Sequence, residues 1–255
     1  MPRRGVAPAL PTPSTQCRPL QGTTVKLSLV MPVYNEGATL RTILEALGKV
    51  EMPVPYELIV VDDGSHDGAV DTIDRAWIPN AEQVTVVKAR ENRGKGSALR
   101  KGFALATGDI LGVQDADLEY DPSQIPTMIE PILAGRTDVV FGTRQFGAHA
   151  SFSFWYVVGN RLMSLAASAL FDRYITDAYT CYKFMTRERY EQLRLTANGF
   201  EIEAELTGGL ARNGARIYEI PISYTARSRD DGKKIHPRDG LKGVARLLRV
   251  RIRGW

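Results

Sequence analysis

Five short runs in the chain are apolar along their whole length: LSLVMPV (27–33), the body of YELIVVDDGS (56–65), VTVVKA (84–89), the start of DILGVQDAD (109–117) and the body of TDVVFGTR (137–144). A strand with one wet face alternates; a continuous apolar strand is covered on both faces. Helical stretches separate the runs. EGATLRTILEALGKV (36–50) puts Leu40, Ile43, Leu44 and Leu47 on one face, and GKGSALRKGFALATG (94–108) closes on Gly108, a helix stop. This alternation predicts an α/β chain with a mostly parallel sheet flanked by helices. A length of 255 residues is enough for one such domain with a real core.

In sheets of this kind ligands bind beyond the carboxyl ends of the strands. PVYNE, DDGS, DAD and GTR all fall just past strand ends, so four polar clusters converge on one edge. In GVQDADLEYDP (112–122) the cluster is acidic. Carboxylates at the end of a buried strand are costly unless paired or bound to a cation. Asp115 and Asp117 suit Mg²⁺ or Mn²⁺, hard ions that also bind a diphosphate and stabilise it as a leaving group. A D-x-D alone is a common turn, and the neighbouring clusters give it weight. Asp63 ends a second strand and could accept from a base or ribose. Arg93, Lys95 and a helix N-terminus in ENRGKGSALR suit phosphate. The glycine spacing matches neither a Walker loop nor a GxGxxG turn. Asp62 and Asp67 read as turn formers, and His66, His149 and His236 are too scattered for a metal site.

The second half is less regular. A helix is expected over 153–170, then a polar loop ITDAYTCYKFMT, a helix over about 200–213 and a strand RIYEIPISY (216–224). Glu201, Glu203 and Glu205 read as a helix face, with Glu201 the one able to reach a site. Trp155, Tyr174, Tyr179 and Tyr182 read as packing residues. FSFWYVVGNRLMSLAASALF (152–171) is apolar enough to raise a membrane span, but Asn160 and Arg161 sit in its middle, which favours a helix packed in the protein. The net charge of +4 suits anionic partners, and no nucleic-acid-binding fingerprint is present. Two cysteines far apart make no disulfide framework, so a reducing cytoplasmic setting is expected. Residues 1–24, rich in Pro and Thr, read as a flexible leader without a signal-peptide core, followed by a domain over 25–237. Residues 238–255 read as a basic amphipathic helix. Leu241, Val244, Ala245, Leu248 and Ile252 share one face; Lys242, Arg246, Arg249 and Arg253 share another. Such a helix either packs on the domain or lies on anionic lipid.

The ordered motifs PVYNE, VVDDGSHDG, ARENRGKGSALRKG, QDADLEYDP, FGTR, GNRLMS, TDAYTCYK, GFEIEAEL, EIPISY and GKKI resemble the family 2 glycosyltransferases, and within them the dolichyl-phosphate mannose synthase-like branch. The likeness runs from about residue 26 to residue 240. It implies a GT-A fold, a Rossmann-like single domain, and hexose transfer with inversion from a nucleotide sugar of the GDP-mannose or UDP-glucose type. Pro32, Tyr34, Glu36 and Asp63 match residues around the nucleotide. Asp115 and Asp117 match the metal-binding DxD, with Glu119 a third ligand or its neighbour, for Mg²⁺ or Mn²⁺. Arg90 and Lys95 match the basic loop near the donor phosphates. Arg144, Arg161 and Ser164 match positions that bind the phosphate of a polyprenyl acceptor, although Arg161 also reads as a salt-bridged core arginine. Arg229, Lys233 and Lys234 fall in a late basic loop that closes over donor and acceptor.

A phosphate acceptor is already an anion and needs arginines rather than a base. A hydroxyl acceptor on a soluble or natural-product substrate would need a carboxylate base, and Asp177 stands where family 2 enzymes keep one. Several relatives carry transmembrane helices after the catalytic domain and this chain reads as having none. With a lipid acceptor it is therefore expected to meet the cytoplasmic face of the membrane peripherally, through the basic helix and FSFWYV (152–157).

Overall fold

The computed structural model describes residues 25–147, 154–227 and 237–253. Strands β1 (Leu27–Val33), β2 (Tyr56–Asp62), β3 (Gln83–Lys88), β4 (Ile110–Val113), β5 (Val139–Thr143), β6 (Lys183–Thr186) and β7 (Ile217–Pro221) form one sheet in the order β3-β2-β1-β4-β6-β5-β7. Neighbours run parallel except at β6, which is antiparallel to both β4 and β5. The expected mostly parallel α/β sheet is what forms. β6 is the correction: its residues lie in the stretch read as a polar loop. It is short, and its leading Lys183 is buried only because a carboxylate pairs with it.

β1, β2, β4 and β5 are buried on both faces, as their pattern requires, whereas β3, at the edge of the sheet, is only partly buried. One face of β1 offers Leu29, Met31 and Val33 to α1 (Leu40–Leu47) and α3 (Ile125–Leu133). On the other side Val30, with Ile59 and Val61 of β2, meets α2 (Lys95–Leu105) and α6 (Ile202–Arg212). α6 is buried from Ile202 to Ala211, because α4 (Phe154–Phe171) and α7 (Pro237–Arg253) form a third layer outside it. A short helix α5 (Arg187–Glu191) follows β6. Among the described residues no helix is long and apolar enough to cross a membrane.

α7 departs from the two-faced expectation. Gly243, Leu247 and Val250 are its packed stripe, whereas Leu241, Leu248 and Ile252 are exposed. Arg246, expected on the solvated basic face, pairs with the buried Glu205 at 3.0 Å. The helix both packs on the domain and keeps a second apolar stripe outside.

Topology fixes the edge. Val33 of β1 pairs with Asp62 of β2, and Val30 pairs with Val113 of β4. The segments leaving these three central strands therefore emerge side by side. Antiparallel β6 starts at the edge where β4 and β5 end, and brings residues 177–182 to it. Gly112 makes this possible: it pairs with Phe184, and a Cβ there would run into the Phe184 ring. Gly112→Ala is expected to lower stability by about 1–3 kcal/mol through overpacking, read as an earlier urea midpoint; an unchanged midpoint would reject this account of the β4–β6 contact.

Candidate active site

A cleft of about 250 Å³ opens at this edge. Asp115 and Asp117 follow β4, and the chain turns between them and Glu119 through Leu118, at φ 62°. A leucine in the left-handed region is strained, which is typical of site geometry held by its surroundings. The Glu119 backbone N–H donates to Asp117 at 3.1 Å.

Each acid of the cluster meets a cation. Lys95, at the start of α2, grips Asp115 with Nζ 2.8 Å from Oδ1 and 2.9 Å from Oδ2. Arg227, just past β7, puts Nη2 2.8 Å from Asp117 Oδ2, Nη1 3.1 Å from Glu36 Oε2 and Nε 3.9 Å from Glu119 Oε1. Burial, with the charges of Asp115 and Glu119 added to it, pushes the Asp117 carboxyl up to about 7 against the pull of Arg227. Burial disfavours the Lys95 ammonium, but Asp115, Cys181 and Glu203 together outweigh it and hold the lysine charged.

The donor set is hard oxygen, and the cluster is built around positive charge. Among the described residues no three potential ligands converge closely enough to enclose a metal alone. Carboxylate oxygens of this kind suit a hard cation that is shared with a ligand's phosphates.

Asp63 also lines the cleft. Its Oδ2 accepts from the backbone N–H groups of Arg93 at 3.1 Å and Gly94 at 2.6 Å. Its buried Oδ1 has no partner among the described residues and lies in the cleft lining, an acceptor left for a ligand. Burial raises its carboxyl, with those N–H groups pulling the other way. The two loops beside it are stitched together. Asn35 accepts from the His66 N–H at 2.9 Å, and Asp67 from the Gly37 N–H at 2.8 Å. Asp62 accepts from the Ser65 N–H, so Asp62 and Asp67 are turn formers, as read.

A second polar group lies behind Tyr224, whose hydroxyl donates to Glu119 at 2.8 Å and whose ring lies 5.0 Å from the Arg144 guanidinium carbon. Arg144 binds Asp177 with Nε to Oδ2 at 2.7 Å and Nη2 to Oδ1 at 2.8 Å. Asp177 is 0% exposed and also accepts from Asn160 of α4 at 2.9 Å. Burial opposes its charge; Arg144 overrides it and holds the carboxyl below the usual carboxylate range. Arg144 Nη1 has no hydrogen bond to another described residue, and its side chain is 18% exposed.

The structure gathers Pro32, Tyr34, Glu36, Asp63, Lys95, Asp115, Asp117 and Glu119 around one cleft. Arg144 and Asp177 form the pair behind it. Ser164 is buried and accepts from the Ala178 N–H at 3.0 Å, so its hydroxyl braces the loop under Asp177. Arg161 and Arg90 are exposed, Arg161 without the core salt bridge also weighed for it. Arg93 turns its side chain to Glu91 and offers the site its backbone N–H. Arg229, Lys233 and Lys234 lie outside the described residues. Glu203 and Glu205 are not a solvated helix face: both are buried, and Glu203, rather than Glu201, reaches the site through Lys95. Tyr179 and Tyr182 pack as expected, whereas Trp155 and Tyr174 are exposed. Sequence reasoning missed Arg227, Glu203 and Asn160. Arg227 was findable, since it follows a strand end as the other clusters do.

The Glycosyl transferase family 2 model matches residues 28–194, and the chain belongs to that family. It is 28% identical over 218 residues to a dolichol-phosphate mannosyltransferase of Pyrococcus furiosus, covering 82% of this chain and 59% of that one. It is 32% identical over 187 residues to an undecaprenyl-phosphate 4-deoxy-4-formamido-L-arabinose transferase of Pseudomonas fluorescens, covering 68% of this chain and 53% of that one. The chain thus spans less than two thirds of the length of these two relatives. The fold is similar to that of glucosyl-3-phosphoglycerate synthase from Mycobacterium tuberculosis, with a TM-score of 0.64 at 24% identity over 89% of this chain and 80% of that one. The GT-A architecture implied by the motifs is therefore the one observed.

The Arg144–Asp177 pair gives a pH test. Asp177→Asn leaves a largely buried guanidinium without its counter-charge and is expected to cost about 3 kcal/mol near neutral pH. The folded-state carboxyl lies below its ordinary value. Its stabilisation is therefore complete above an ordinary aspartate pKa of about 4 and is lost as pH falls through the folded value. Urea unfolding should show a constant gap between wild type and variant above about pH 5 that narrows below about pH 4; a gap unchanged in acid would remove the ion pair as its source.

Proposed function

We propose that the protein transfers a hexose, with inversion, from a nucleotide sugar of the GDP-mannose or UDP-glucose type to a polyprenyl phosphate. The observation that carries this reading is the state of Asp177. A hydroxyl acceptor needs a base within reach of it. Asp177 has no exposure, both its oxygens are engaged, and its proton affinity is lowered. Beside it stands Arg144, with a nitrogen facing no described partner. That supports an acceptor that is itself an anion, held by guanidinium. Two relatives named for dolichol-phosphate and undecaprenyl-phosphate transfer support the same class.

In this reading Asp63 Oδ1 accepts from the donor's base or ribose. Asp115 and Asp117, with Glu119 beside them, would hold a Mg²⁺ or Mn²⁺ ion, which would neutralise the departing diphosphate. Lys95 and Arg227 supply further positive charge at the diphosphate. Arg144 orients the acceptor phosphate, and Arg161 meets it from the outer edge of α4. An acceptor oxygen attacks the anomeric carbon and the bond from that carbon to the diphosphate oxygen breaks. The electron pair leaves with the nucleoside diphosphate, and no proton is removed from the acceptor.

A lipid acceptor requires a membrane approach, and the outer layer supports one. Phe154, Trp155, Leu162 and Leu165 of α4 are exposed, as are Leu241, Leu248 and Ile252 of α7. No acid occurs in 154–171 or 240–253, while Arg161, Lys242, Arg249 and Arg253 are exposed there. An exposed apolar surface that carries several cations suits an anionic bilayer.

The deciding assay uses purified protein, Mn²⁺ or Mg²⁺, UDP- and GDP-sugars and a short polyprenyl phosphate. The expected outcome is an EDTA-sensitive glycolipid. Arg144→Ala and Arg161→Ala should each lower transfer at least about a hundredfold, as loss of a charged contact to the reacting group does, while nucleotide binding survives. Transfer unchanged in both variants would sink the acceptor assignment. Separately, the triple change Leu241→Ser, Leu248→Ser and Ile252→Ser should abolish co-sedimentation with anionic vesicles and leave the fold intact; retained sedimentation would exclude α7 as the contact.

A further inference from the structure

Lys95 stands between two carboxylates, and only one belongs to the acidic cluster after β4. Its Nζ is held by both oxygens of Asp115 and lies 3.3 Å from Glu203 Oε1 on α6. The lysine side chain is 9% exposed, at the cleft wall, and that of Glu203 2%, so both charges depend mainly on protein partners. Glu203 spends its other oxygen on Lys183, at 2.6 Å. Lys183 is further satisfied by the carbonyl oxygens of Ala178 and Thr180. Oε1, by contrast, has among the described residues only the Lys95 ammonium, at 3.3 Å, a longer contact than Lys95 makes to either oxygen of Asp115. A counter-ion for Lys183 alone needs one oxygen. The second is buried and shares Lys95 with Asp115 through the looser of the two contacts, so it has room to take the ammonium more closely in another state of the site.

We propose that Glu203 is a positioning residue that receives the Lys95 ammonium when Asp115 turns to a divalent cation. The inference rests on the reading that Asp115 and Asp117 bind such an ion. In the structure Lys95 neutralises Asp115. For Asp115 to exchange its partner, Lys95 must leave without becoming an unpaired buried charge. Moving onto Oε1 satisfies both groups at once, and Lys183 keeps Oε2. Lys95 then remains at the cleft wall, charged and available to a ligand's phosphates. Arg227 has a similar second place, since Glu36 accepts from it at 3.1 Å beside its bond to Asp117.

The test is Mn²⁺ binding by the full chain, read as loss of the free-ion EPR signal, alone and with UDP or GDP. Wild type, Glu203→Gln, Lys95→Met and the double variant are compared. Removing the receiving carboxylate should tie Lys95 to Asp115 and weaken Mn²⁺ binding about tenfold, an ordinary coupling between contacting charges. Lys95→Met removes the competitor and should tighten binding. Glu203→Gln should then have no further effect in the Lys95→Met background. Equal weakening in both backgrounds would show that Glu203 acts through the fold and would overturn the proposal, as would unchanged binding in the single variant. Should Glu203→Gln fail to fold, Lys95→Met alone decides: weaker binding than wild type overturns the exchange. Failure of wild type to bind Mn²⁺ under any of the three conditions would instead overturn the underlying metal reading.

Discussion

Asp115 and Asp117 leave β4 with their charges mostly out of water, and the cleft takes its form from the cations brought to them. Two carboxylates this close repel each other, and burial penalises both. Lys95 comes from the first turn of α2 and Arg227 from the segment after β7. The parts of the chain that supply charge are therefore distant in sequence from the part that needs it. They meet because β1, β2 and β4 are parallel neighbours whose ends lie together, and because Tyr120 bridges to Tyr224 and draws the segment after β7 across the edge. An electrostatic requirement at one strand end is met by topology.

β6 gives the same argument a second form. An antiparallel strand between β4 and β5 reverses the direction in which its flanking loop leaves the sheet. Residues 177–182 thus join the edge at which the parallel strands end. Asp177 is delivered to Arg144 and Cys181 to the cleft lining. Lys183 is delivered to Glu203 and ties β6 to α6. Both ion pairs are buried, so removing either partner strands a charge, while the intact pairs hold a loop that apolar contacts alone would fix less specifically.

Much of this was legible in the sequence because the signals are local. The apolar runs that became β1, β2, β3, β4 and β5 are continuous, and the polar clusters past their ends follow from the geometry of parallel sheets. What stayed illegible depends on contacts between distant residues. Lys183 argues against a buried strand until Glu203 is known to stand beside it. Glu203 and Glu205 look like a wet helix face until α4 and α7 are seen to cover α6. α3 is disguised by Pro126 and Pro131; the first sits harmlessly in the initial turn and the second lies inside the helix near its end. α7 shows the limit of periodicity. Its apolar residues form two stripes, and the pattern alone cannot say which one packs.

The site's two halves differ in the kind of ligand they can hold, and a single aromatic ring separates them. On one side of Tyr224, Glu119 belongs to an acidic cluster that attracts cations; on the other, Arg144 carries positive charge that Asp177 balances. An anion entering beside Arg144 need not displace Asp177, because Nη1 is not used in that pair. A diphosphate entering the cleft, in contrast, meets carboxylates and is held only through cations. In the proposed reaction, two phosphate-bearing substrates would then lie close together without sharing counter-charges. A phosphate nucleophile needs that separation if it is to approach a sugar diphosphate, since each anion must be neutralised by its own set of groups before they can react.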